Sequence, residues 1–249
     1  MSNQDKGEGV ISAARRVYAF FYVGNDISQP QMLVDSIRWV DWQAEIVHCT
    51  DAGTPQINGV SRRVEVDGDR RRLMTYRLRA FRESGINRPA IYIDTDMLCI
   101  RPIDAAALCT EHPIRFCTRQ FSVDAAFNGR FGGMDFMEYD QRPLGQVYPF
   151  VACATVAPDS GVWTSLEREL SSIDPKFSIW YGDQEAMRRF AERSGMSPAH
   201  GLPETAFGCL PEQSQYLPAA SLIHFKGPAR KGLMSDFYYY LRHRNLQDA

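Results

Sequence analysis

The sequence lacks any apolar run that approaches the ~18 residues of a membrane-spanning helix. Its polar N-terminus also lacks the apolar stretch that a secretory signal peptide requires. These two absences predict a cytoplasmic protein with no integral membrane segment. Residues 1–16 are expected to form a flexible N-terminal segment.

An excess of positive charge is missing as well. Lysine and arginine number 28 against 30 aspartate and glutamate residues, which gives a formal net charge of −2. Because such a chain has no overall positive field, nucleic acid is not an expected partner. The six cysteines include no CxxC pair, and several lie in apolar runs, which favours reduced core thiols over a zinc site or a disulfide framework.

The motifs of four large enzyme classes are absent too. The sequence has no GxGxxG after its first predicted strand, no GxxxxGK[ST], no HExxH and no GxSxG. These absences count against dinucleotide oxidoreductases, P-loop nucleoside triphosphatases, zinc proteases and serine hydrolases.

The chain does contain a regular alternation of apolar and amphipathic segments. Hydrophobic residues make up 44% of its 249 residues, and no repeat or long linker divides it, so residues 1–249 are interpreted as one domain. Continuous apolar runs predict buried strands at 17–23, 44–49, 89–93, 114–118, 147–156 and 222–225. One helical pattern begins after Ser28, which is its predicted N-cap. Other helical patterns occur at 69–83, 160–170, 183–193 and 235–244. The alternation predicts an α/β fold with a mostly parallel central sheet flanked by helices.

Two acidic residues directly follow the strand at 89–93. Asp94 and Asp96 are two positions apart, so their side chains point the same way on an extended chain. In open α/β sheets, ligands bind beyond the carboxyl ends of the strands. The pair therefore predicts a site for a hard divalent cation. A solvated turn after the strand is the open alternative.

A second candidate segment follows the strand at 222–225. The strand delivers His224, Gly227 permits a close backbone approach, and Lys226, Arg230 and Lys231 supply positive charge. A neutral imidazole can complete a metal shell, and lysine binds phosphate as a point charge. A structural histidine in an apolar strand is the open alternative.

Four segments, taken in chain order, resemble those of one enzyme family. They are Thr75-Tyr76-Arg77-Leu78, Asp94-Thr95-Asp96, Tyr181-Gly182-Asp183-Gln184, and His224-Phe225-Lys226-Gly227 followed by Lys231. In these segments the chain is similar to GT-A-fold glycosyltransferases. Within that class it resembles the retaining enzymes of glycosyltransferase family eight, which includes glycogenin and bacterial lipopolysaccharide galactosyltransferases. The resemblance spans roughly residues 17–232 and rests on the family's DxD and HxxGxxK motifs.

The resemblance implies a GT-A fold and a metal-dependent glycosyltransferase of hexosyltransferase type. The expected reaction moves a sugar from a nucleotide sugar to a saccharide or glycan acceptor, and a UDP-sugar is the expected donor. The configuration of the anomeric carbon is expected to be retained. Such reactions occur in polysaccharide biosynthesis. The implied cofactor is Mn²⁺ or Mg²⁺. Neither the oligomeric state nor the identity of the sugar follows from the resemblance.

The resemblance also implies the site residues. The implied metal ligands are Asp94, Asp96 and His224. The implied catalytic residues are Asp183 and Gln184. The implied donor-binding residues are Gly24, Asn25, Asp26, Arg77, Asp94, Thr95, Gly227 and Lys231. Arg79 is an open alternative to Arg77, because both lie in the same arginine-rich helix.

The acceptor is expected to bind elsewhere, at residues 121–146 and at the aromatic C-terminal end. That irregular segment is long, which is typical of functional loops. Phe127 and Tyr139 are predicted to offer flat apolar faces to sugar rings.

The sequence departs from the family at three positions. Residues 150–154 contain neither residue of the family's Asn-x-Gly strand, Lys231 falls one position late, and Gly232 stands where the family commonly has tryptophan. Two other functions therefore stay open: a non-catalytic nucleotide-sugar binding protein, and a sugar-nucleotide nucleotidyltransferase.

Overall fold

The computed structural model describes residues 15–127, 129–131, 134–135 and 142–247. Most of the predicted N-terminal segment lies outside this part of the chain. The strands are β1 (Val17–Phe21), β2 (Glu45–Thr50), β3 (Arg62–Glu65), β4 (Ala90–Ile93), β5 (Met97–Cys99), β6 (Arg115–Thr118), β7 (Arg130–Phe131), β8 (Met134–Asp135), β9 (Phe150–Ala157), β10 (Leu202–Pro203) and β11 (Leu222–His224). The helices are α1 (Ser28–Val40), α2 (Leu73–Glu83), α3 (Ala105–Cys109), α4 (Leu144–Val147), α5 (Gly161–Ser171), α6 (Gly182–Ser194), α7 (Glu204–Phe207) and α8 (Pro228–Gln247).

The central sheet contains, within the described residues, seven strands in the order β10-β6-β9-β4-β1-β2-β3. Strand β1 is parallel to β2 and β4, β2 is parallel to β3, and β6 is parallel to β10. Only β9 in this sheet runs antiparallel to its neighbours, β4 and β6. The predicted α/β fold with a mostly parallel sheet is therefore confirmed.

Both faces of the sheet are covered, which explains why the strands appear in the sequence as unbroken apolar runs. Within β1, Val17 and Ala19 pack on one face with α2, α5 and α6, whereas Tyr18 and Phe20 pack on the other face with α1 and α3. Trp163 fills the first face, with its ring centroid 4.6 Å from that of Phe81. No helix in the described ranges has the length and apolar character needed to cross a membrane.

Several predicted element boundaries were wrong, among them the start of α2, which lies at Leu73 rather than at residue 69. Residues 147–156 do not form one strand, because α4 ends at Val147 and β9 begins only at Phe150. Ser28 is not the N-cap of α1 but its first helical residue, and its backbone N–H donates to Asp26 Oδ1 at 3.0 Å. Helix α8 begins at Pro228, seven residues earlier than predicted, since proline suits the first helical position.

A small two-stranded sheet joins two distant parts of the chain. Strand β5 pairs antiparallel with β11, with His224 opposite Met97. The backbone N–H of Phe225 also donates to Asp96 O at 2.8 Å. This pairing brings the acidic segment after β4 beside the histidine of β11.

Candidate active site

A cavity of about 540 Å³ lies beyond the carboxyl end of β4. Strand β9 closes one side, because it runs antiparallel to β4 and its first residues border the end of that strand. The backbone N–H of Asp94 donates to Cys153 O at 3.0 Å, which fixes the acidic segment against this wall. The cavity therefore lies where open α/β sheets bind their ligands.

The cavity brings together most of the site residues predicted from the sequence. Those that line it are Arg77, Asp94, Asp96, Asp183, Gln184, His224, Gly227 and Lys231. Thr95 lines an adjoining pocket of about 260 Å³ together with Tyr22 and Val23. Gly24, Asn25 and Asp26 are not among the residues that line either space. Their role in donor binding stays a prediction.

Three of these side chains form a group with the chemistry of a metal site. Asp94, Asp96 and His224 each offer one ligand atom, and these atoms all lie within 4.8 Å of one another. The buried Nδ1 of His224 has no hydrogen-bond partner among the described residues. Two carboxylates and one imidazole suit Mn²⁺, and the oxygen ligands also suit Mg²⁺. The donor set therefore fits the divalent cation that the sequence predicts.

Arg77 links the two acidic parts of the cavity. Its Nη2 lies 2.8 Å from Asp94 Oδ1, and its Nη1 lies 3.1 Å from Asp183 Oδ2. Arg77 Nη2 also donates to Ala152 O at 2.7 Å. Arg79, the open alternative, instead pairs with Glu83 on the outer face of α2. The structure thus places Arg77 in the cavity and Arg79 outside it.

The charges around the acidic pair shift its titration. Burial, helped by Asp96 and Asp183, raises the pKa of Asp94 against the opposing effect of Arg77. Burial works in the same direction on Asp96, but the hydrogen bond and charge of His224 and the charge of Lys231 outweigh it and lower the pKa of Asp96. Lys231 Nζ lies 3.4 Å from Asp96 Oδ2. Asp96 is therefore the carboxylate that stays ionised most readily.

The surroundings of His224 favour its protonated form. Burial opposes a charge on the ring, but Cys153 and the Asp96 carboxylate outweigh burial and raise the pKa of His224 to about 10. The ring Nε2 lies 3.4 Å from Asp96 Oδ1. A cation that takes His224 as a ligand must displace this proton.

Metal affinity is therefore expected to depend on pH. Because His224 carries a proton below its raised pKa and binds a cation only without it, affinity for Mn²⁺ will rise by about tenfold per unit between about pH 6 and pH 8. Calorimetry in buffers of different ionisation enthalpy will count the released proton. A His224→Gln variant is the control and should bind weakly with a shallower slope. An equally steep slope in this variant would show that the released proton comes from another group.

The start of helix α6 is held in an unusual backbone conformation. Tyr181 has a φ of 58°, in the left-handed region that non-glycine residues rarely adopt. At Gly182, a Cβ atom would lie 2.1 Å from Phe177 O, so only glycine fits there. This close packing fixes where α6 begins and so places Asp183 and Gln184 at the cavity.

Sequence reasoning missed Arg119, which lies behind Gln184. Arg119 is 5% exposed, its Nη2 donates to Gln184 Oε1 at 3.0 Å, and its Nε donates to Tyr148 O at 2.8 Å. Nothing in the local sequence distinguishes this arginine from a surface one. Trp180 was missed as well, and its ring lines the cavity while 36% exposed.

The predicted acceptor-binding segment, residues 121–146, lies only partly within the described residues. Phe127 is 2% exposed, and its ring packs against Tyr148 and Tyr181, so the prediction that it offers a free face to a sugar was wrong. It is buried because α4 and the segment before α6 close over it. Tyr139 lies outside the described residues.

Comparison with known proteins identifies the fold. Neither a protein-family model nor a curated protein matches the sequence. Among solved structures, the bifunctional glycosyltransferase WbbM matches 88% of this chain with 14% identity and a TM-score of 0.53. This chain covers 47% of WbbM, about half its length.

Two further structures match over nearly their whole length. A glycosyltransferase involved in glycosylating the major capsid of PBCV-1 matches 89% of this chain and 100% of its own, with 8% identity and a TM-score of 0.53. The galactosyltransferase LgtC, in complex with donor and acceptor sugar analogues, matches 90% of this chain and 95% of its own, with 12% identity and a TM-score of 0.52. Identities this low show the fold alone, and the described part of the chain has the GT-A glycosyltransferase fold.

Proposed function

We propose that this protein is a metal-dependent, retaining glycosyltransferase that moves a hexosyl group from a UDP-sugar to a saccharide or glycan acceptor. The observation that carries the proposal is the content of the cavity. One space at the strand ends holds the Asp94, Asp96 and His224 group, two cations at Arg77 and Lys231, and the carboxylate of Asp183. Its position in a GT-A fold supports the same reaction.

The metal-ligand group defines the diphosphate end of the cavity. Asp94, Asp96 and His224 would hold Mn²⁺ or Mg²⁺. The chemistry that such an ion supplies is positive charge beside the diphosphate leaving group. Lys231, 3.4 Å from Asp96, adds a second positive charge at the same end. Because negative charge grows on the diphosphate as the glycosidic bond breaks, Lys231 stabilises the transition state more than the ground state.

The adjoining pocket is a candidate site for the nucleoside. It has a volume of about 260 Å³ and shares Arg77, Asp94, Asp96 and Lys231 with the main cavity. Tyr22 and Val23 follow directly after β1 and form its other wall. A nucleoside bound there would extend its diphosphate toward the metal ligands and its sugar toward Asp183.

Asp183 would act on the sugar. In the reaction, the bond from the anomeric carbon to the diphosphate oxygen breaks, and a bond from that carbon to the acceptor oxygen forms on the same face. The acceptor proton passes to the leaving diphosphate oxygen. Asp183 is held by Arg77 at 3.1 Å, and its carboxylate stabilises the positive charge that develops on the sugar ring.

Replacement of Asp183 by Asn will slow turnover with little change in donor binding. The amide keeps the shape of the side chain but loses the charge that opposes the developing cation, so kcat will fall by about 100-fold or more while the Kd for UDP-sugar stays within about threefold. Steady-state kinetics and calorimetry will measure the two effects. A large loss of donor affinity with an unchanged kcat would assign Asp183 to binding instead.

Binding of UDP is the first test of the proposed function. Calorimetry with UDP in the presence of Mn²⁺ should show tight binding that EDTA weakens strongly, because a cation held by Asp94, Asp96 and His224 would supply positive charge to the diphosphate. No binding of UDP in either condition would refute the proposal. Binding of UDP-sugars without any turnover would favour a non-catalytic binding protein, and pyrophosphate release from UTP with a sugar phosphate would favour a nucleotidyltransferase.

A further inference from the structure

The two ends of the cavity differ in charge. Among its described lining residues, the acidic ones are Asp94, Asp96 and Asp183. Asp94 and Asp96 belong to the proposed diphosphate end and Asp183 to the proposed sugar site, and Arg77 and Lys231 pair with these carboxylates. We call the part of the cavity lined by Gln184 and Lys226, whose side chains form no hydrogen bond or ion pair with these carboxylates, the opposite end.

Gln184 presents a donor to this opposite end. A guanidinium can only donate hydrogen bonds, so the 3.0 Å contact with Arg119 fixes the oxygen of the Gln184 amide on the arginine. The amide nitrogen of Gln184 therefore faces away from Arg119, and it donates to no described residue. Since Arg119 is itself buried and held by Tyr148 O, the amide cannot easily turn over.

Lys226 is a cationic side chain with no ion-pair partner among the described residues. Its side chain lines the cavity and forms no ion pair or hydrogen bond with any described residue. Burial lowers the pKa of Lys226, and Arg119 acts in the same direction against the opposing effect of Glu204. Glu204 is 1% exposed, and its Oε2 already accepts from the backbone N–H groups of Gln120 and Phe121. Glu204 is thus engaged by backbone groups, and Lys226 has no carboxylate ion-pair partner among the described residues.

We propose that this end of the cavity binds the carboxylate of an acidic sugar, with Lys226 as its ion-pair partner and the Gln184 amide as a second donor. The inference rests on the proposed function and names the class of sugar that it acts on. A carboxylate supplies the negative charge that Lys226 lacks and accepts the hydrogen bond that Gln184 offers. The carboxylate belongs either to the donor sugar, as in a UDP-uronate, or to an acidic acceptor glycan.

Calorimetry of the full chain with Mn²⁺ tests the inference. UDP-glucuronate and UDP-galacturonate will be compared with UDP-glucose and UDP-galactose, which carry a hydroxymethyl group in place of the carboxylate. The wild-type protein should bind one uronate at least tenfold more tightly than its neutral counterpart. Lys226→Met should bring that ratio close to one, whereas Lys176→Met, a control at an exposed ion pair, should leave it unchanged.

A second titration separates the two sources of the carboxylate. Glucuronate and an acidic oligosaccharide will be titrated into the protein saturated with UDP and Mn²⁺. The carboxylate belongs to the acceptor if the wild-type protein binds acidic and neutral UDP-sugars equally tightly but also binds these acids. Lys226→Met should then abolish the binding of the acids.

The inference and the proposed function fail in different ways. If UDP binds but neither acidic donors nor acidic acceptors are preferred, or if a preference survives in Lys226→Met, the acidic-sugar site is refuted and the proposed function stands. If UDP itself does not bind, the proposed function falls, and the inference falls with it.

Discussion

Replacement of Asp96 by Asn will reduce glycosyl transfer by about 1,000-fold and weaken Mn²⁺ binding by at least about 100-fold. Asp96 offers a ligand atom to the metal group and contacts both His224 and Lys231. A neutral amide removes the negative charge that the cation, His224 and Lys231 all require. Donor turnover and calorimetry with Mn²⁺ will measure the two losses.

A matched control separates this effect from a general change in charge. Asp236 is exposed on α8 and lines neither the cavity nor the adjoining pocket, so its substitution by Asn removes the same charge outside the site. We expect Asp236→Asn to retain wild-type turnover and metal binding. If Asp96→Asn bound Mn²⁺ as tightly as the wild-type protein, the metal site would lie elsewhere.

Replacement of Arg77 by Met will lower both stability and activity. The side chain is 12% exposed and neutralises two carboxylates, Asp94 and Asp183. Its loss leaves these charges close together in a partly buried space, which costs about 3 kcal/mol in free energy of unfolding. We also expect turnover to fall by at least about 100-fold, since Asp183 loses the group that holds it.

The same helix offers the control for this variant. Arg79 pairs with Glu83 at the surface, so Arg79→Met should change the free energy of unfolding by no more than about 0.5 kcal/mol. Addition of Mn²⁺ should restore part of the stability of Arg77→Met, because the cation replaces positive charge beside Asp94. Urea denaturation of both variants, with and without Mn²⁺, will measure these free energies of unfolding. Equal losses in both variants would mean that Arg77 has no special role.

Local sequence patterns predicted the parts of the site that lie at strand ends. Strands β1 and β4 are buried on both faces, so they appear as unbroken apolar runs, and the polar residues after them are easy to locate. The two carboxylates after β4 needed only the two-residue period of an extended chain. Their convergence with His224 depended on family resemblance rather than on periodicity.

The remaining features depend on contacts between distant parts of the chain. Strand β5 has only three residues, and its pairing with β11 has no local signal in the sequence. The ion pairs of Arg77 with Asp183 and the hydrogen bond from Arg119 to Gln184 likewise join separate elements. Charged residues look alike in a sequence whether they end at the surface or in a cavity, so only the fold distinguishes Arg77 from Arg79.

Turnover of a nucleotide sugar is the most direct test of the proposed metal-dependent glycosyl transfer. NMR spectroscopy will follow a panel of neutral and acidic UDP-sugars incubated with the protein, Mn²⁺ and oligosaccharide acceptors. Parallel samples will contain EDTA, or the Asp96→Asn variant in place of the wild-type protein. We expect release of UDP from at least one donor with Mn²⁺, an α-linked product from an α-linked donor, no turnover in EDTA, and turnover reduced about 1,000-fold in Asp96→Asn. Turnover that persists in EDTA, or a β-linked product, would contradict the proposal.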